Sequence, residues 1–222
     1  MIAPRCVRLI AVVLALASSA IHPAAANARP LAPGAPMSAP NACTLGFVFT
    51  DGDRLYLSTA AHCTTATGNR VEAPGVGPFG SVVLRRSEDD IAFIRVDQDK
   101  EHLVEPVVQG RGAPTGVAIS GQTGLGDELV LTGQGIGVST MAETRSRPGV
   151  LITQDERRFT ADAPAIFGDS GGPVIHVPTG RALGSIEGIA ATVPPTTVFG
   201  TTVERSLVVA QNAGLPLSLV TG

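Results

Sequence analysis

Gly168-Asp169-Ser170-Gly171-Gly172-Pro173 sets a serine between glycines, and a serine so placed has the means to act as a nucleophile. Glycine admits backbone conformations closed to other residues, so the flanking glycines let the chain bend sharply beside the hydroxyl. Backbone N–H groups aimed at that point would stabilise an oxyanion as it forms. The same stretch also reads as a turn before an apolar strand from Pro173 to Val177, because Gly, Asp and Ser are ordinary turn residues. A neutral serine hydroxyl is a poor nucleophile near neutral pH. It needs a base, and a histidine acting as base needs a carboxylate to fix its tautomer and stabilise its charged form. His62 ends the run Leu57-Ser58-Thr59-Ala60-Ala61 and precedes Cys63, while Asp90 opens the apolar run Ile91 to Val96. Singly, these are a strand-end histidine and a turn aspartate. Together with Ser170 they supply one nucleophile, one base and one orienting carboxylate, far enough apart that only a tertiary fold unites them.

The elements that would position them are strands. The chain carries 26 Gly and 17 Pro among many Val, Ile and Thr residues, which suits short strands joined by tight turns. Apolar or alternating runs predict strands at Leu45 to Thr50, Arg54 to Ser58, Gly80 to Leu84 and Ile91 to Val96, with Asp51-Gly52-Asp53 as a hairpin turn. Gly110 to Gly116 reads as a linker between halves. Further strands are expected at Val117 to Ser120, Leu129 to Thr132, Gly149 to Thr153, Val174 to Val177, Ala182 to Ile189 and Thr197 to Val203. One helix is expected at the end, where Thr201 and Glu204 have capping-box spacing and Gly214 is placed as a stop.

The N-terminus reads as an export signal. Arg5 and Arg8 precede an apolar run from Leu9 to Ile21, and small residues follow, so residues 1–28 fit a cleavable secretory peptide. The run is shorter than the roughly 20 residues a membrane-spanning helix needs, so no stable membrane span is expected. Residues 29–42 carry four prolines and no apolar periodicity, and they read as an unfolded leader or short propeptide. With Cys6 in the signal, Cys43 and Cys63 form an even pair in an exported protein, so one disulfide is the expected use. Closing that loop of about 20 residues would contribute ~3 kcal/mol on the chain-entropy model. A metal is not expected, because these two cysteines and His62 lack the paired spacings of zinc sites. The net charge of −3 gives no footprint for nucleic acid.

Thr59-Ala60-Ala61-His62-Cys63, Asp90-Ile91-Ala92-Phe93 and Gly168-Asp169-Ser170-Gly171-Gly172-Pro173 resemble the histidine, aspartate and serine boxes of chymotrypsin-like (trypsin-like) serine proteases, in that family's order. Cys43-Thr44-Leu45-Gly46-Phe47 is similar to the start of secreted bacterial members of the streptogrisin and alpha-lytic type. The resemblance implies an all-β fold over residues 43–222. Its parts would be two perpendicular six-stranded antiparallel β-barrels, about 43–108 and 115–222, with the active site in the cleft between them and a short C-terminal helix. It implies a secreted, monomeric serine endopeptidase that acts on a protein or peptide substrate and requires no cofactor or metal. His62, Asp90 and Ser170 would be catalytic, the N–H groups of Gly168 and Ser170 would form the oxyanion hole, and Cys43–Cys63 would be the disulfide beside the histidine.

The departures from the family concern activation and specificity. No Ile-Val-Gly-Gly-like start is present to pair with Asp169, which leaves Arg145 or Arg147 as candidate partners. Where a trypsin-like preference would show an aspartate, six residues before the serine, this chain has Pro164. A small or apolar side chain is therefore the expected preference, although Asp162 and Glu187 could place a charge near the specificity pocket. Two other readings belong to different classes: a catalytically weak binding protein on the same fold, and an esterase-type acyl hydrolase. The order His, Asp, Ser disfavours the α/β-hydrolases, whose order is Ser, Asp, His.

Overall fold

Short apolar runs, each too short to bury itself, pair into two antiparallel layers that share a buried seam. A computed structural model describes residues 30–108, 111–135, 146–190 and 197–222. The expected signal peptide and Arg145 lie outside them. The first layer contains β3 (Val48–Thr50), β4 (Leu55–Ala60), β5 (Arg70–Ala73), β6 (Gly77–Arg86) and β7 (Ile91–Val96). A last strand, β14 (Ser218–Leu219), completes it in the order β14-β3-β4-β7-β6-β5. The second layer is a closed barrel in the order β10-β13-β12-β11-β8-β9. Its strands are β8 (Glu128–Thr132), β9 (Ser146–Gln154), β10 (Arg158–Asp162), β11 (Pro173–His176), β12 (Arg181–Ile189) and β13 (Thr197–Thr202).

Each layer has its own core, the first around Leu45, Leu57, Phe79 and Ile94, the second around Leu131, Phe159, Val174 and Leu183. A third cluster joins the layers, gathering Phe49 and Phe93 of the first, Ile175 of the second, Val203 and Val209 of the C-terminal helix, and Leu217. The Phe49 and Phe93 rings stand edge to face at 5.2 Å between centroids, an arrangement aromatic quadrupoles favour.

The expected all-β fold with one C-terminal helix is present, and four details differ. The first layer is a sheet with β14 and β5 at its edges rather than a barrel closed by hydrogen bonds. Because β14 comes from the C-terminus, the second half of the chain also completes the first layer. Residues 30–42 are not an unfolded leader. Leu31 is fully buried and donates its N–H to Leu103 O at 2.8 Å, and β1 (Pro36–Met37) pairs with β2 (Cys43–Thr44). The prolines erase periodicity there, yet Leu31 and Met37 are buried, at roughly 1.5–3 kcal/mol each, and anchor the segment. Val117 to Ser120 forms only an isolated bridge from Val117 to Ala182, and the described part of the expected linker, residues 111–116, bridges Gly112 to Val108.

The helix α1 (Val203–Asn212) starts one residue later than its capping-box reading. Thr202 is the cap, its hydroxyl accepting the Arg205 N–H at 3.0 Å. Glu204 instead reaches away to accept the Ser120 N–H, and Gly214 follows the helix with φ +76° as a left-handed stop.

Candidate active site

Strand register brings histidine and aspartate together. β4 pairs with β7 so that Ala60 lies opposite Ile91, which forces the residues after Ala60 and before Ile91 to the same end of the sheet. His62 sits there in a single 3₁₀ turn, Ala61–Cys63. Asp90 holds a left-handed conformation, φ +45°, uncommon for a residue with a side chain. That conformation accompanies a three-point clasp. Ala61 N–H donates to Asp90 O at 3.0 Å, His62 N–H donates to Oδ1 at 2.9 Å, and His62 Nδ1 lies 2.7 Å from Oδ2. The last contact assigns the proton to Nδ1 and leaves Nε2 as the acceptor. The hydrogen bond to Asp90 raises the imidazole above its ordinary pKa against an opposing desolvation, and the half-exposed ring keeps its far edge open to the cleft.

The disulfide sits directly beneath. Cys43 and Cys63 are bonded with their Cα atoms 6.0 Å apart, tying β2 to the residue after His62. Thr44, next to Cys43, donates its N–H to Ser170 O at 2.9 Å and its hydroxyl to Gly168 O at 2.7 Å. The serine turn of the second layer is thus fastened to the first. From the other side, Gly171 N–H donates to Ile186 O at 2.7 Å and Ile186 N–H to Gly172 O at 2.9 Å. Gly168 and Gly171 both have positive φ, +100° and +85°, and a Cβ at Gly171 would stand 2.4 Å from Thr44 O. Only glycine fits that approach.

Asp169 points away from the cleft and is 1% exposed. Its Oδ1 accepts Gly135 N–H and its Oδ2 accepts Ile166 N–H, each at 2.8 Å. Arg147 Nη2 lies 2.8 Å from Oδ1, close enough for an ion pair though without hydrogen-bond geometry. Of the two arginines expected to pair with Asp169, Arg147 is therefore the one the described residues place beside it. With Asp169 so held, the N–H groups of Gly168 and Ser170 are bonded to no acceptor among the described residues.

His62 and Ser170 line one cavity of about 530 Å³ with Ile166, Phe167, Ile186 and Glu187. No hydrogen bond joins the Ser170 hydroxyl to His62, a contact that is often loose in an unliganded site. Of the residues expected near the specificity pocket, Glu187 is in this cavity. Asp162 and Pro164 are not; they line a separate groove of about 450 Å³ with Arg111, Glu128 and Pro148. The reason is β10, which ends at Asp162 paired with Val150 of β9 and carries the following residues to that flank.

Asp89, beside Asp90, is buried and faces the opposite way. Arg205 of α1 grips both its oxygens, Nε to Oδ1 at 2.8 Å and Nη2 to Oδ2 at 3.0 Å, and Arg157 reaches Oδ1 at 3.0 Å. These guanidinium contacts, Arg205 first, hold its carboxyl below the usual range. Sequence reading gave Asp89 no role, and neither arginine is near it in the chain.

Two β layers meeting at a cleft, with a clasped histidine and a glycine-flanked serine on its walls, define the class of serine endopeptidases. A model of the trypsin-like peptidase domain matches residues 44–184, and the chain belongs to that family. Its fold is similar to that of Thermobifida fusca protease A, at TM-score 0.65 and 23% identity over 86% of this chain and 100% of that one. It is also similar to Cellulomonas bogoriensis chymotrypsin, at TM-score 0.61 and 20% identity over 86% of this chain and 98% of that one. No curated protein matches the chain. No helix among the described residues is long and apolar enough to cross a membrane.

Proposed function

We propose that the chain is a secreted endopeptidase that hydrolyses peptide bonds through Ser170, His62 and Asp90, by way of an acyl-enzyme. The observation that carries this is the Asp90 clasp on a histidine that lines the same cavity as Ser170; with Nδ1 donating to the carboxylate, Nε2 is the acceptor in the neutral ring. Ser170 Oγ attacks the scissile carbonyl carbon while its proton passes to Nε2. The carbonyl oxygen becomes an oxyanion at the Gly168 and Ser170 N–H groups. Collapse breaks the C–N bond, and His62 returns the proton to the departing amine. Water, deprotonated by the same nitrogen, then attacks the ester and releases the acid and the free serine. Losing one such oxyanion donor costs roughly 3 kcal/mol in enzymes of this kind.

The Arg147–Asp169 contact supports a site assembled without N-terminal processing, and residues 31–42 belong with the folded peptidase unit. The signal-like first 28 residues and the disulfide support export, since disulfides persist in oxidising compartments. The substrate is a protein or peptide, and the active form is a monomer.

A fluorophosphonate probe tests the nucleophile. Wild-type protein is expected to be labelled, and Ser170→Ala, which should lose about a millionfold in turnover, is expected not to be. Unlabelled wild type, or a labelled Ser170→Ala variant, would overturn the assignment.

A further inference from the structure

Among the described residues, the cavity beside Ser170 has one ionisable wall residue besides His62, and its charge is already committed. Glu187 sits in β12 where the pairing with β13 slips by one residue between Ile186 and Gly188, and such a bulge re-aims a side chain. The carboxyl is 7% exposed. Its Oε1 meets the Thr201 hydroxyl, and its Oε2 accepts from Arg158 Nη1 at 2.8 Å. Arg158 is itself braced, with Nη2 donating to Glu88 O at 3.2 Å, and it stands outside the cavity lining. Besides His62 and Ser170, the other described lining residues are Ile166, Phe167, Ile186, Gly188, Ile189 and Ala190.

A carboxylate on a pocket wall is the usual means of attracting a lysine or arginine side chain. Here two conditions oppose it. When ionised, Glu187 is neutralised by Arg158, and an entering cation would compete with a guanidinium already in place. When protonated, as burial encourages, it offers no charge and leaves Arg158 to repel a cation. The Thr201 hydroxyl has one proton for two acceptors, Asp89 O and Glu187 Oε1, so it cannot satisfy both and does not restore a free negative charge.

We propose that Arg158 masks Glu187, so that the cavity beside Ser170 receives an uncharged apolar side chain at the cleavage site and rejects lysine and arginine. The proposal rests on the peptidase reading above and names the substrate class of that same site. Arg158 acts through Glu187 and is a positioning residue for specificity. Apolar walls then gain from burying the substrate side chain, while a cation would lose its hydration with no compensating charge.

The test compares kcat/KM for a peptide series that differs only in the residue before the scissile bond. Fluorophosphonate labelling counts active enzyme, so failure of the peptidase reading shows as no labelling and stands apart from a wrong preference. Wild type is expected to favour Leu, Phe or Met over Lys and Arg by about tenfold or more. In Arg158→Gln the Lys-to-Leu ratio should rise about tenfold or more, and adding Glu187→Gln should return it to the wild-type value. If Arg158→Gln does not fold, Glu187→Gln alone decides. A masked carboxyl predicts a Lys-to-Leu ratio within about threefold of wild type, and a working cation receptor predicts a fall of about tenfold or more. Labelled wild type that cleaves best after Lys, Arg, Asp or Glu would overturn the proposal, as would an Arg158→Gln ratio that does not move.

Discussion

Asp89 and Asp90 are neighbours in one turn, alike in chemistry and opposite in use. Asp89 turns inward and is gripped by Arg205 and Arg157, so it bolts the C-terminal helix and the barrel to the first layer. Asp90 turns toward the cleft and spends its oxygens on one histidine. The difference lies in the backbone, since the left-handed φ at Asp90 sends consecutive side chains to different sides. One residue position thus separates a carboxylate that ties the fold together from the one proposed to orient His62.

Replacing each aspartate by asparagine should break the pair apart. Asp90→Asn keeps the shape but offers Nδ1 a donor in place of an acceptor, favouring the wrong tautomer. Turnover should fall about ten-thousandfold with the melting temperature little changed. Steady-state kinetics and thermal unfolding on one preparation check both halves. A loss below tenfold would mean that Asp90 does not orient the base.

Asp89→Asn should do the reverse. It leaves two guanidinium groups short of a partner, one of them mostly buried, and breaking a buried pair costs about 3–5 kcal/mol. Denaturant unfolding should show a loss of that size, and kcat per labelled active site should stay within about threefold of wild type. The depressed carboxyl adds a pH signature with a fixed sign. A group whose folded pKa is lowered contributes stability above its ordinary pKa and loses it as pH falls through the folded value. Asp89→Asn should therefore flatten acid unfolding below about pH 4.

How legible these roles were depends on where their partners lie. The serine turn was legible because its needs are local: glycines for positive φ and a strand after it. His62 and Asp90 became legible as a pair because each flanks an apolar strand, and β4 and β7 then pair directly. Asp89 was not, since its arginines lie 68 and 116 residues further along the chain. Leu31 and Met37 were hidden by prolines that suppress any periodic pattern. Asp162 and Pro164 misled in the other direction. Their closeness to Ser170 in sequence suggested one pocket, whereas the pairing of β10 with β9 turns them to another flank. Arg158 carried no signal at all, because its meaning depends on a bulge in a strand far downstream.

The smallest expected effect is a shift in pH dependence, and it asks whether the division between the two aspartates is complete. As the proposed base, His62 can act only when neutral, so kcat/KM should rise with pH along a limb set by its pKa in the free enzyme. The largest cause raising that pKa above the ordinary 6.5 is the bond to Asp90, with a weaker push from the charge of Glu187. In the residual activity of Asp90→Asn the limb should move to lower pH. In Asp89→Asn it should stay in place, because Asp89 has no part in the shift. The same bond carries a stability term of opposite use. A raised histidine pKa stabilises the fold most fully below the ordinary value, and that contribution is lost as pH rises through the folded one. The Asp90–His62 pair therefore stabilises best where His62 is charged and idle, and gives up part of that stability to hold a neutral base. A limb that moved in Asp89→Asn would show that the two carboxylates share one electrostatic task after all.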